Sequence, residues 1–186
     1  MDYSLYLVTD EKYDNLINKV EKILMRGVNL VQYRAKHKTT QEMFLEAQEL
    51  KKVCDKFNVP LLINDRIDIA LAVDAAGVHL GQDDLPCQIA RKILGKNKII
   101  GVSVHNILEA QKAEADGANY LGVGAIFPTT TKTDVSVLGL DGLKKICQVA
   151  KIPVVGIGGI DFENKDAVFA AGASGVAMVS AFFREV

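Results

Sequence analysis

Apolar residues along the chain fall into two alternating kinds of segment. The first kind is short and almost unbroken in Val, Ile and Leu: LYLVT, NLVQYR, PLLIND, GVHLG, IIGVSV, YLGVG, PVVGIGG and GVAMVS. A strand with one wet face alternates apolar and polar residues, and these runs do not. They predict strands covered on both faces, as in a parallel sheet under helices. The second kind is longer and amphipathic. In NLINKVEKILMRG, Leu16, Ile17, Val20, Ile23 and Leu24 recur on one helical face. TTQEMFLEAQELKKVCDKFN opens on threonine caps and repeats the pattern with Met43, Phe44, Ala47, Leu50 and Cys54.

The count is eight strands with seven helical connections between them. Strands alternating with helices indicate βαβ units, and eight such units indicate a (β/α)8 TIM barrel of α/β class. Residues 1–186 then form one compact barrel domain. Only AFFREV follows the last strand, so the final helix is expected to be missing or vestigial. A weak repeat supports closure: MRGVNLVQ, AAGVHLGQ, ADGANYLGVG and AAGASGVAMV place Gly before strands two, four, six and eight. Gly adopts the left-handed conformation cheaply, so each is expected to mark a helix-to-strand joint. Strands three and seven are introduced instead by NVP and KIP.

Composition narrows the classes. The 186 residues suit a sizeable core, and a formal net charge of -1 with no long Lys/Arg run speaks against a nucleic-acid partner. The three cysteines, Cys54, Cys87 and Cys147, are scattered and form no CxxC pair, which argues against a disulfide framework or zinc site and for a reduced, cytoplasmic setting. The start, MDYSLYLVTDEKY, lacks the basic region of a signal peptide. No apolar run approaches the roughly 20 residues that span a bilayer, so no membrane role is expected.

In such a barrel, chemistry gathers at the C-terminal ends of the strands. The unusual polar residues of this chain fall there. Strand two ends in Gln32, Arg34 and Lys36, strand three in Asn64, Asp65 and Arg66, strand four in Gln82, Asp83 and Asp84. Strand five ends in Ser103 and His105, strand six in Thr129, Thr130, Thr131 and Lys132, strand seven in Gly156, Gly158 and Gly159, strand eight in Ser180.

A lone glycine pair reads as a tight turn. At strand seven of a barrel, GIGGI followed by MVS favours a phosphate cradle, because glycine lets backbone N–H groups approach phosphate oxygens. NDR and GQDD suit either Mg2+ or helix N-capping, since Asp65 and Asp84 both precede helices. Arg34, Lys36 and Lys132 on the same rim add weight to a metal–diphosphate site. His79 lies inside strand four and reads as a packed core histidine, His37 as a surface residue. Cys87 has no base beside it in sequence. The lack of a nucleophile–base signature argues against covalent catalysis.

QYRAK (Gln32–Lys36), NDR (Asn64–Arg66), GVHLGQDDLP (Gly77–Pro86), GVSVH (Gly101–His105), FPTTTK (Phe127–Lys132) and GIGGI (Gly156–Ile160) occur in this order. The ordered set resembles the thiamine-phosphate synthase family over almost the whole chain. GIGGI alone is shared by many phosphate-binding barrels. The resemblance implies coupling of 4-amino-2-methyl-5-hydroxymethylpyrimidine diphosphate with a (carboxy)hydroxyethylthiazole phosphate, giving thiamine monophosphate and pyrophosphate with one Mg2+ per subunit. It implies a dissociative route, in which diphosphate leaves first and the thiazole nitrogen attacks a pyrimidine-stabilised carbocation.

Carried over residue by residue, the resemblance assigns Gln32, Tyr33, Arg34, Ala35, Lys36, Asn64, Ser103 and Lys132 to the pyrimidine diphosphate. It assigns Thr129, Thr130, Thr131, Gly159, Val179 and Ser180 to the thiazole phosphate, and Asp65 and Asp84 to Mg2+. Lys132, Ser103, Arg34 and Lys36 would carry the catalytic load. The short end departs from the family's usual final helix; a partner subunit in a homo-oligomer, or truncation, would account for that. A sister group of thiazole tautomerases shares the scaffold and uses a histidine near strand five, a position His105 could fill. A non-catalytic thiamine-phosphate carrier is a third reading. The complete diphosphate and Mg2+ set favours the synthase.

Overall fold

The computed structural model describes residues 1–129 and 136–186. The elements run β1 (Leu5–Val8), α1 (Leu16–Leu24), β2 (Leu30–Tyr33), α2 (Thr40–Lys56), β3 (Leu61–Asn64), α3 (Ile67–Ala72), β4 (Gly77–Leu80) and α4 (Cys87–Leu94). They continue with β5 (Ile99–Val104), α5 (Ile107–Ala115), β6 (Tyr120–Val123), α6 (Gly139–Val149), β7 (Val154–Ile157), α7 (Lys165–Ala170), β8 (Gly175–Met178) and α8 (Ser180–Phe183). The strands form a closed parallel barrel in chain order. Closure is made where β1 pairs β8, with Tyr6 opposite Ala177.

The near-continuous apolar runs are explained by two separate cores. Outward residues such as Leu7, Val31, Ile63, Val78, Val102, Leu121 and Val176 pack under the helices. Inward residues Tyr6, Val8, Leu30, Leu62, Tyr120, Val155 and Ala177 fill the barrel itself. Helix α2 begins as expected, with a capping box: the Thr39 hydroxyl accepts from the Glu42 amide, and the Glu42 carboxylate accepts from the Thr39 amide at 2.8 Å. The final helix is vestigial, a single turn. It is held by Phe183 stacked on Tyr13 at 4.1 Å and by Phe182 edge-on to Phe162 at 5.4 Å. No helix among the described residues is long and apolar enough to cross a membrane.

The glycine repeat needs one correction. Gly27, Gly117 and Gly172 are left-handed as expected, but Gly77 is the first residue of β4, and the left-handed residue of that joint is Asp74. Gly77 answers a different demand, because a Cβ there would lie 1.9 Å from the Ile99 carbonyl oxygen of β5. Two interior glycines make room for rings. A Cβ on Gly101 would meet Tyr120 Cζ at 2.1 Å, and one on Gly122 would meet His79 Cε1 at 2.8 Å.

Gly101→Ala is therefore expected to lower stability by about 3 kcal/mol through overpacking. The measure is the urea midpoint at unchanged slope; a wild-type midpoint would mean that the Tyr120 ring can move aside.

Candidate active site

A cavity of about 740 Å³ opens over the C-terminal ends of the strands. Its walls are set by strand alternation. On β2, Leu30 and Gln32 point inward while Val31 and Tyr33 point to the helices. Of the residues expected at the site, Gln32, Arg34, Lys36, Asn64, Asp65, Asp84, Ser103, Thr129, Gly159, Val179 and Ser180 line this cavity. Tyr33 and Ala35 do not line it. Tyr33 is turned outward by the same alternation and donates its hydroxyl to Glu46 of α2 at 2.7 Å. Thr130, Thr131 and Lys132 lie outside the described residues.

The two aspartates are neighbours. Asp65 sits just past β3 in left-handed backbone, its amide donating to the His79 carbonyl at 2.8 Å. Its carboxylate pairs with the Lys36 ammonium. Asp84 Oδ2 accepts from the Gly81 amide at 2.7 Å, closing the loop after β4. The N-capping alternative for these residues is not realised: α3 starts after Arg66 and α4 after Pro86, and neither helix has a side-chain cap. Burial, then a hydrogen bond that the protonated Asp84 donates to Asp65, and then the Asp65 charge push the Asp84 carboxyl above the usual aspartate range.

Such a pair fits Mg2+. The donors are oxygens only, they are adjacent, and like charge between them is relieved by a cation. Among the described residues no group of three or more His, Cys, Asp or Glu converges on a metal position. Two carboxylates with the remaining positions left to water and substrate phosphate is the arrangement Mg2+ favours.

Across the opening, Gly158 and Gly159 are left-handed at φ 98 and 65. A Cβ on either would strike the loop after β6, 2.7 Å from Ala125 Cα or 2.5 Å from the Pro128 carbonyl oxygen. That loop is tied to the β7 end by Ile126 N–H to Ile157 O and Phe127 N–H to Gly158 O, each 3.0 Å. Asn164 Nδ2 donates to Gly159 O at 2.9 Å, so this carbonyl is turned away from the opening. Among the described residues, the Gly159 and Ile160 amides donate no hydrogen bond. Unspent backbone donors beside glycines form a concavity suited to an anion.

The cavity floor carries a chain of polar contacts. Gln32 Nε2 donates to Tyr6 Oη at 2.6 Å, Tyr6 Oη meets Tyr120 Oη at 2.8 Å, and Tyr120 Oη meets His79 Nδ1 at 2.7 Å. His79 Nε2 meets Ser103 Oγ at 2.9 Å. His79 is buried, as expected of a core histidine, but its ring lines the cavity. In the sequence His79 reads as core only, and the two tyrosines are not singled out. His79 lies two residues before Gly81, and Tyr120 two before Gly122, all on the inward side of their strands, but nothing within these apolar runs marks that side. Beside this chain, Asn64 Nδ2 is buried and has no hydrogen-bond partner among the described residues. A buried amide donor facing a cavity is costly unless a ligand accepts from it.

Together these features describe a (β/α)8 barrel enzyme whose cavity carries an acidic pair on one side and a glycine concavity on the other. Residues 5–182 match the family described as thiamine monophosphate synthase. The chain is 51% identical over 183 residues to the thiamine-phosphate synthase of Clostridium acetobutylicum, covering 97% of this chain and 87% of that one. It is 46% identical over 188 residues to the thiamine-phosphate synthase of Persephonella marina, covering 100% and 90%. The solved thiamine phosphate pyrophosphorylase of Pyrococcus furiosus superposes with a TM-score of 0.88 at 41% identity, covering 96% of this chain and 86% of that one. The chain belongs to the thiamine monophosphate synthase family.

The acidic pair makes a direct prediction. Asp65→Asn removes the negative charge beside Asp84, so Asp84 should release its proton at lower pH than in the wild type. Burial persists in the variant, so the fall is partial. Carboxyl carbon chemical shifts followed through an acid titration report it; an unmoved midpoint would show the two carboxylates to be uncoupled.

Proposed function

We propose that this protein joins the pyrimidine diphosphate to the thiazole phosphate, releasing pyrophosphate and forming thiamine monophosphate. The observation that carries the reading is the placement, in one cavity, of a Lys36–Asp65–Asp84 cluster and a separate Gly158–Gly159 cradle. Two anionic sites in one cavity suit two phosphorylated reactants. Asp65 and Asp84 would hold Mg2+, which supplies charge neutralisation at the diphosphate.

The protein's own contribution is electrostatic and positional. Arg34 and Lys36 face the diphosphate, and Lys132 is assigned to it from its motif. As the C–O bond breaks, the electron pair leaves with the diphosphate and its negative charge grows. Fixed cations aimed there stabilise the transition state more than the ground state. Asn64 Nδ2 and Ser103 offer hydrogen bonds to the same substrate. Gly159, Val179, Ser180 and Thr129 would hold the thiazole phosphate so that its ring nitrogen faces the methylene carbon. Its lone pair then forms the new C–N bond, and no protein nucleophile is required. The enclosing barrel limits water that would trap the cation. Small anionic substrates and three free thiols support a cytoplasmic setting.

A ring isomerisation of the thiazole alone would leave the acidic pair without work, although His105, held by Glu109 at 3.0 Å, also lines the cavity. The deciding assay supplies both substrates with Mg2+ and follows pyrophosphate. Release is expected from the wild type, with Asp65→Ala and Lys132→Ala each reduced about a hundredfold or more while circular dichroism is retained. Isomerised thiazole phosphate without pyrophosphate would sink the proposal in favour of the tautomerase.

A further inference from the structure

The polar chain under the cavity has a direction, and the direction follows from counting hydrogens. Gln32 Nε2 can only donate, so Tyr6 Oη accepts from it at 2.6 Å. Burial pushes the hydroxyls of Tyr6 and Tyr120 above the usual phenol range, so both keep their protons. The Tyr6 hydrogen then has Tyr120 Oη, 2.8 Å away, as its acceptor. The Tyr120 hydrogen goes to His79 Nδ1 at 2.7 Å. A ring whose Nδ1 accepts carries its hydrogen on Nε2, and that nitrogen is 2.9 Å from Ser103 Oγ.

The opposite order fails at Tyr6. It would receive hydrogens from both Gln32 and Tyr120, and its own would have no acceptor among the described residues. It would also make Ser103 spend its hydrogen on His79, leaving only lone pairs to face a cavity built for anions.

The chain is held rigidly. Tyr120 packs into the space that Gly101 leaves, with Oη 2.4 Å from where a Cβ would stand, and His79 into the space left by Gly122. The Tyr3 ring lies 4.9 Å from that of Tyr120, and the His79 ring 5.5 Å from it.

We propose that Gln32, Tyr6 and Tyr120 lock His79 in the Nε2–H form, so that Ser103 Oγ accepts from the ring and turns its own hydrogen into the cavity. His79 is thereby a positioning residue for the coupling reaction. Its effect on turnover rests on the synthase reading above, whereas the tautomer does not.

The first test reads the tautomer. Histidine is labelled with nitrogen-15, long-range proton–nitrogen correlations are recorded on the wild type, and His79→Gln assigns its signal among the three histidines. The expected pattern is a bare Nδ1 and a protonated Nε2, with Tyr120→Phe shifting it to a mixture of both forms. A protonated Nδ1 in the wild type, or no change in Tyr120→Phe, overturns the proposal.

The second test follows pyrophosphate release. Glutamine can accept through its carbonyl and donate through its nitrogen, so His79→Gln should lose about threefold and His79→Leu about a hundredfold in kcat. If His79 acts through Ser103, the double variant His79→Leu with Ser103→Ala is no slower than Ser103→Ala alone. Losses that multiply overturn the positioning role. A wild-type protein that releases no pyrophosphate defeats the synthase reading instead, and the tautomer is then decided by the nitrogen spectrum alone.

Discussion

Closure of eight short parallel strands is the constraint from which the rest follows. Seven of the strands have four residues and β5 has six. A strand of four offers two inward positions, because side chains alternate faces. One position per strand must help fill the barrel, as Leu30, Leu62, Tyr120 and Val155 do. What remains lies nearer the C-terminal end, where Gln32, Asn64, His79 and Ser103 stand in adjacent strands. Register fixes their neighbours: Asn64 is beside His79, His79 beside Gly101, and Ser103 beside Gly122. Gly101 leaves room for the Tyr120 ring and Gly122 for the His79 ring inside the barrel.

Above that floor the site works against its own stability. Asp65 and Asp84 are held together although burial, and then Asp65 beside it, push the Asp84 carboxyl above the usual range. Asn64 keeps a buried donor unused among the described residues. A cation beside the carboxylates would relieve the first arrangement, and an acceptor beside the amide the second. Groups fixed before the ligand arrives need little reorganisation when charge develops, which is the source of electrostatic catalysis. The two apolar cores carry that penalty.

The strand number, their order, the threonine cap of α2 and the gathering of polar residues at the end of the barrel where the cavity opens could all be read from the sequence. These rest on local periodicity and turn chemistry. The inward face could not be read, because a run such as NLVQYR is apolar or large on both sides and has no visible phase. Tyr33 and Ala35 were carried to the site with their motif, and neither lines the cavity. His79 was read only as core for the same reason; a buried histidine inside a strand looks alike whether it faces helices or a cavity. The capping alternative for Asp65 and Asp84 failed on another ground. Asp65 takes left-handed backbone and Asp84 closes back onto Gly81, geometry that a short polar stretch does not announce.

The single turn α8 follows directly on β8. Val179 and Ser180, at the start of that turn, line the cavity together with Gly159. A single turn has almost no intrinsic stability, since nucleation is unfavourable and few backbone bonds repay it. Among the described residues two aromatic side chains anchor this turn. Phe182 and Phe183 are both buried, each against another ring, and burial of one such side chain contributes about 1.5–3 kcal/mol. Arg26 of the chain after α1 then grips Glu185 through its carboxylate and its carbonyl, the latter at 2.9 Å. The end of β8 is thus pinned from α1 and from the loop before α7 at once. The Val179–Ser180 side of the cavity therefore rests on aromatic packing beneath it, while the Lys36–Asp65–Asp84 side is held by charged contacts.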